Sequence, residues 1–479
     1  MIDTAIQEPF DTADWVAAVK ASIKRPEDLQ ALVHTDIDGL GKKALYRAED
    51  LDSALTLPPV KGKSEIWQRI QIERISRANS RAKEALDGGV TGLIFSHTAL
   101  PSEQDWDRLM DGIHPDWGLP VYWDFADSNT AGVFLWIDYL LRQGYDLETL
   151  TGGVFLDPIS WAARQGKMEG GKKTMFDVLH QTLQYGLSEM PKGHWLHLRS
   201  GFYRECGCSP VQELAFALAL ASDYLEEMSA RGMDEEQVIS TMMVHFSSLI
   251  TSDYFTELVK PNAFILLWKN LLDSRGLAYH RPHLHIETGL RNKTLYDSHS
   301  NLIRAGIESL SALSGGVDSL VNPAFDAFFK EPDAASYRWA RNIGLILSSE
   351  AHANYVHHPA AGSYYLENRT LQLAESAWNL FLEIEEKGGM TEALKGNAIQ
   401  QMVTLKAEAE KKSFLNRSRS LVGSNVYVDE QQKMAKNYTR ILAAEPEEDL
   451  QFLKLRPERL SEALEVERMK MEQIKTKES

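Results

Sequence analysis

Cysteine is nearly absent from this chain: Cys206 and Cys208 are the only two in 479 residues. Separated by a single residue, they suit neither an unstrained disulfide nor a zinc site, so reduced thiols in a cytoplasmic protein are expected. Long apolar runs are missing as well. The longest stretches, at 214–221 and 263–268, fall short of the roughly 18 residues a spanning helix requires, which excludes a helical membrane anchor. The first residues, MIDTAIQEPFDTADW, place acids where a secretory signal needs positive charge, and no apolar centre follows, so no export signal is expected. Positive charge is in deficit, with 51 Lys and Arg against 68 Asp and Glu and a net charge of −17. A surface of that sign repels a phosphate backbone, and nucleic acid is not expected as a partner. Glycine (31) and proline (17) are too sparse for a collagenous or largely disordered chain. No HExxH, GxxxxGK[ST] or GxSxG motif occurs, which removes the usual support for a zincin, a nucleotide hydrolase or a serine esterase.

What is present is a globular composition, 43% hydrophobic and 25% charged, in a chain long enough for one large core with appendages. Short apolar segments alternate with longer helical ones, the pattern of parallel strands joined by crossover helices. The segments fall at 92–96, 120–125, 153–157, 194–198, 245–250, 283–288, 318–322 and 355–364, each interval being long enough for one helix. This spacing predicts an α/β fold, a (β/α)8 TIM barrel with an N-terminal arm and a C-terminal helical extension. The expected division is a helix and arm over 1–60 that wraps a partner, a barrel over 61–390, and a helical extension over 391–479. Within it, residues 11–23 read as a short helix, 35–60 as an irregular arm, and 64–86 as a long polar helix. Residues 371–387 read as an amphipathic helix stopped by Gly388 and Gly389, and 400–479 as mostly helical.

One cluster carries metal-ligand chemistry in its composition. Strand alternation sends His283, His285 and Glu287 to one face, and a metal there would need further ligands from Glu350, His352, His357 or His358. A metal-dependent hydrolase is one reading of this cluster, and hydrogen-bonded histidines lining a barrel are the plainer one. The plainer reading assigns no metal.

Longer motifs go further. The segment from Glu287 to Arg304, ETGLRNKTLYDSHSNLIR, is followed by Ala305-Gly-Ile-Glu308 and by Gly315-Gly316. Downstream come Phe325-Asp326, Ala340-Arg-Asn342, Ala361-Gly-Ser-Tyr-Tyr-Leu-Glu367, Gly388-Gly-Met390 and Val422-Gly-Ser-Asn-Val426. Upstream stand Ala85-Leu-Asp-Gly-Gly89, Gly92-Leu-Ile-Phe95 and Ser200-Gly-Phe-Tyr203. In order and spacing, over residues 10–440, these resemble the substrate domain of the methylmalonyl-CoA mutase family. The resemblance implies a radical isomerase, in which adenosylcobalamin supplies a carbon radical and an acyl-CoA runs down the barrel axis. It also implies a flavodoxin-like domain with an Asp-x-His-x-x-Gly motif. That motif is not in this sequence, the nearest text being Asp297-Ser-His299-Ser-Asn-Leu302, and no cobalamin domain is expected in this chain.

The chain departs from the family's catalytic pattern in three places. Where catalytic members end the fourth strand Ser-Gly-Tyr-His, this sequence has Phe202 and Tyr203, so Tyr203 replaces the histidine that donates to the migrating carbonyl. Counting back from Ala85 puts Arg69 at the family's second catalytic tyrosine, before the first strand. Tyr122-Trp123-Asp124-Phe125 is bulky where relatives use small residues to admit the pantetheine arm. The resemblance therefore implies a small subunit with degenerate positions at Arg69, Phe202 and Tyr203, without catalytic, cofactor-binding or metal-binding residues of its own. Its expected partner is a large catalytic subunit that holds adenosylcobalamin. The alternative is a substrate-binding subunit of a split acyl-CoA mutase with its cobalamin domain on another chain.

Overall fold

A computed structural model describes the chain apart from residues 1–10, 24–31, 52–53, 59–61, 98–99, 126–129, 250–252, 357, 435–449 and 479. Its centre is a sheet of eight parallel strands: β1 Glu65–Gln71, β2 Gly92–His97, β3 Val121–Phe125, β4 Gly152–Val154, β5 Leu196–Leu198, β6 Met242–Ser248, β7 His283–Thr288 and β8 Ser319–Val321. The ladder runs β4-β3-β2-β1-β8-β7-β6-β5. Bridges Gly152 to Gly193 and Leu156 to Leu196 join β4 to β5 and close the ring. The seam is tight because it is made of glycine. Gly153 has φ +148°, and a Cβ there would stand 2.3 Å from the His194 carbonyl oxygen.

The barrel expectation holds, with one strand exchanged for another. Seven expected strands overlap β2 to β8. The eighth, at 355–364, is among its described residues a run of turns that leads into the helix Tyr364–Glu385, and Asn354 just before it donates to the Ser64 carbonyl beneath β1. The missing strand is β1, which lies where a long helix was expected over 64–86; the helix itself begins only at Ile75 and ends at Asp87. In EIWQRIQ, Ile66 and Ile70 face the surrounding helices, while Trp67 and Arg69 face the lumen. A strand whose inner face carries Arg69 lacks the apolar alternation that reveals the others.

Outside the sheet, helices cover apolar outer faces. Trp123 and Phe125 point outward, and Trp123 packs against Trp106 at 4.1 Å between ring centroids and against Trp136 at 5.3 Å. Of the four bulky residues of β3, only Tyr122 and Asp124 enter the lumen.

The helix Thr12–Ser22 forms as expected and buries none of its residues. The arm after it lies along the chain's own helices. Asp36 pairs with Arg369, Lys42 with Asp253, and the Leu55 amide donates to Glu367. The C-terminal region differs from the expected mostly helical tail. After the helix Ala398–Leu415, the described residues 416–434 and 450–461 are largely irregular, and a helix resumes only at Glu462–Glu478. Pro457 and amides committed to other elements keep 450–461 extended.

Candidate functional site

Strand alternation divides the lumen into two layers. The lower layer is apolar and aromatic: Trp67, Ile94, Tyr122, Phe155, Met243 and Val321 form one buried cluster on the axis. Trp67 stacks on His283 and His285 with centroids 5.4 and 5.3 Å apart, and Phe155 lies 3.7 Å from His197. The Tyr122 hydroxyl is 2.8 Å from His194 Nδ1. These side chains fill the axis as a packed core fills a barrel, leaving a cavity of about 400 Å³ below them, at the strand N-termini.

The upper layer is ionic. Arg69 donates to Asp124 at 2.6 Å, to Ser96 Oγ at 2.6 Å and through Nε to Glu287 at 3.2 Å. Arg199 pairs with the other oxygen of Asp124. Two guanidinium groups thus meet two carboxylates, and the ring is neutral as a whole. Burial disfavours charge at Arg69, Asp124 and Glu287. At Arg69, Glu287 and then Asp124 outweigh burial and raise the pKa. At Glu287 burial is the largest single influence, but Arg69 together with the bond to His285 outweighs it and holds the carboxyl well below its ordinary range, and at Asp124 Arg199 and Arg69 together likewise outweigh burial and lower the pKa. The neighbouring imidazoles go the other way. Burial lowers His245 to about 3 and also lowers His285 and His197, so they are neutral at physiological pH.

Above this ring lies a second cavity of about 400 Å³, at the strand C-termini where (β/α)8 enzymes place their sites. Arg69, Arg199 and His245 form its floor, with Phe202, Leu290 and Phe328 among its walls. Its rim is fixed by buried groups. Glu205 accepts the Leu290 and Arg291 amides at 3.1 and 3.0 Å. Deeper, Lys260 donates to Glu213 and Glu257, both at 2.7 Å, and to the Ser247 carbonyl at 2.9 Å, which pins the end of β6. Pro457, Glu458, Arg459 and Glu462, from beyond the barrel, complete the wall. Nothing in the composition of 400–479 marks them as part of this site, whereas Asp124, Arg199 and His245 could be found from alternation on β3 and β6 and at the end of β5.

Of the three positions expected to be degenerate, two meet at this cavity and one does not. Arg69 and Phe202 line it. Arg69 does so from the barrel strand β1, not from a segment preceding the first strand. Tyr203 is fully buried on the short helix Ser200–Glu205 with its ring against Phe216, and its hydroxyl accepts from Ser160 Oγ at 3.2 Å.

The histidine cluster also resolves differently from the expectation. Glu287 and His285 gather with His245, their ligand atoms lying within 4.8 Å of one another. His283 instead sits lower, bonded to Ser319 Oγ at 2.9 Å. His352 packs on Tyr355 and His358 faces the Pro58 carbonyl at 3.3 Å. Both belong to the strand N-terminal end, because the helix Ala334–Ser349 has carried the chain down from the mouth; His357 lies outside the described residues. Two imidazoles and a carboxylate are a donor set for a transition metal. Here, however, the carboxylate already bonds Arg69, and a divalent ion would add charge beside two guanidinium groups. The donor set does not fit a metal as it stands. For a corrinoid, His299, in the nearest approach to the cobalt-binding motif, lies outside the lining of this cavity and is stacked on Phe325 at 5.1 Å.

Fold and site together define a (β/α)8 barrel with its polar groups collected at the strand C-termini and its axis filled below them. The chain belongs to the methylmalonyl-CoA mutase family, whose sequence model matches residues 66–476. It is 27% identical over 438 residues to the methylmalonyl-CoA mutase small subunit of Porphyromonas gingivalis, covering 88% of this chain and 70% of that one. It is also 27% identical over 410 residues to the small subunit of Streptomyces virginiae, covering 82% of this chain and 65% of that one. A dihydropteroate synthase from Yersinia pestis superposes on 62% of the chain with a TM-score of 0.34 and 12% identity, too loosely to bear on function. No helix among the described residues is long and apolar enough to cross a membrane.

Proposed function

We propose that this chain is the small subunit of a heterodimeric methylmalonyl-CoA mutase, and that its own barrel does no chemistry. Its larger partner interconverts methylmalonyl-CoA and succinyl-CoA with adenosylcobalamin, in the cytoplasm. The observation that carries this reading is the filled lumen. A thioester arm would need the axis that Trp67, Tyr122, Phe155 and Met243 occupy, and the reacting acyl group would need the place of the Arg69, Asp124, Arg199 and Glu287 ring. Every charge in that ring is already matched, so none is free to stabilise a developing charge. Tyr203, at the position of the family's histidine donor, turns away from the cavity. A substrate-binding role in a split mutase would need an open axis and gains nothing from this one. The helix Thr12–Ser22, which buries none of its residues within its own chain, is the part of the arm left over for a partner.

The test is reconstitution. The isolated chain shows no cobalamin absorption and no turnover of either thioester, and with a larger mutase subunit it copurifies as an active heterodimer. Deleting residues 1–60 weakens that assembly. Stoichiometric cobalamin binding by the isolated chain, or turnover without a partner, would overturn the reading.

A further inference from the structure

Residues 450–462 cross the barrel mouth as an extended strap, anchored on both sides of the ring. On the β4 side, the Gln451 and Phe452 amides donate to the Gly166 carbonyl at 2.9 and 3.1 Å, and the Leu455 amide donates to Ala163 at 2.8 Å. Over β5, the Glu458 amide donates to the Glu205 carbonyl at 3.2 Å. On the β7 side, Arg291 Nη1 donates to the Glu458 carbonyl at 2.7 Å, and the Leu460 amide returns a bond to the Arg291 carbonyl at 2.9 Å. Arg459 donates to the Lys293 carbonyl at 3.2 Å and lies 4.3 Å from the centre of the Phe328 ring. Gly166 has φ +75°, and a Cβ there would stand 2.8 Å from the Phe452 carbonyl oxygen, so the underlying helix end is small where the strap passes.

Apart from Glu462, which opens the last helix, the strap holds no helix or sheet ladder of its own. Its backbone hydrogen bonds are spread over several separate elements, and its apolar anchors, Phe452, Leu455 and Leu460, are set singly along it. Such a segment can come away without loss of the eight-strand ladder, and local opening of this kind is less costly than global unfolding. Its middle, Pro457 to Arg459, is at the same time a wall of the upper cavity. We propose that residues 450–462 are a gate over the barrel mouth, closed in this structure, which opens as a unit and sets access to the cavity beneath. This inference is independent of the subunit role argued above, since it concerns one chain and its own mouth.

The chain carries its own reporter. Cys206 follows Glu205, whose carbonyl holds the strap, and is 6% exposed, whereas Cys208 is 0% exposed. With the gate closed, both thiols of the full chain react slowly with an aromatic disulfide reagent. In a Phe452→Ala, Leu455→Ala double variant, Cys206 is modified about tenfold faster or more while Cys208 keeps its rate, as peptide mass spectrometry would resolve. An unchanged rate at Cys206, or equal acceleration of both thiols, would overturn the gate. Native-state hydrogen exchange on the unmodified chain decides the matter without a variant. The amides of Gln451, Phe452, Leu455 and Leu460 exchange together and faster than those of Val244 and Ile286, and exchange at the barrel's own rate would overturn the proposal.

Discussion

The two layers of the lumen are closed by opposite means. Below, Trp67, Tyr122, Phe155 and Met243 exclude a ligand by occupying volume. Above, Arg69, Asp124, Arg199 and Glu287 exclude one by already satisfying each other. The difference lies in what each layer tolerates. A packed apolar layer accepts another apolar residue of similar volume, whereas a matched ionic ring punishes the loss of any one member by leaving its partner charged and buried. On β1 and β3 the layers sit two residues apart, Trp67 below Arg69 and Tyr122 below Asp124, so strand alternation builds one directly on the other there.

Four perturbations would sharpen or break this contrast. The largest effect is expected in the lower layer: Trp67→Ala removes the largest side chain on the axis and should cost about 4 kcal/mol in a urea unfolding titration. Trp67→Phe should cost much less. In the upper layer, Arg69→Met leaves Glu287 buried without its cation and should cost about 3 kcal/mol, the low end for a broken buried pair because Arg69 is not wholly enclosed. Adding Glu287→Gln should recover part of that loss, as volume replacement alone would not. Equal costs for the single and double variants would show that the ring is held by packing.

The third perturbation is pH. Burial lowers His194 to about 4 and His245 to about 3, and it also lowers His197, His283 and His285. The folded chain therefore keeps these imidazoles neutral, while the unfolded chain takes up protons near the ordinary histidine pKa. Stability is full above that value and falls as the pH drops toward the folded values. His197 has neither ring nitrogen hydrogen-bonded to any described residue. His197→Phe should leave stability at pH 7 unchanged or raised, and should flatten the decline below pH 6 by about 1.4 kcal/mol per pH unit, one proton's worth. An unchanged slope would place a proton on His197 in the folded state. The smallest effect is at Tyr203. Tyr203→Phe loses only the bond from Ser160 and should cost about 1 kcal/mol in stability, with turnover of the reconstituted heterodimer unchanged.

Much of this was legible in the sequence, and the exceptions share a cause. Seven strands announce themselves because their outer faces are apolar and their ends carry turn residues. β1 does not, because Arg69 and Gln68 break the apolar pattern and the charged helix from Ile75 follows almost at once. The 355–364 stretch imitates a strand through Tyr355, Val356 and Tyr364, but serves as the turn back to the bottom of β1. For the site, Arg69 and Phe202 could be singled out by alignment to a family pattern. The direction of Tyr203 could not, because it depends on whether a residue one position past Phe202 in a short helix faces the mouth or the underlying helices. Nor could the strap, whose residues carry no motif and are recruited by backbone hydrogen bonds.

The most direct test of the closed lumen is calorimetric titration of the purified chain with methylmalonyl-CoA. A lumen filled in both layers predicts no saturable binding up to about 1 mM. A dissociation constant of about 10 μM or tighter, abolished by a bulky substitution in the upper cavity such as Ala327→Trp, would contradict it and return this barrel to the substrate-binding subunits.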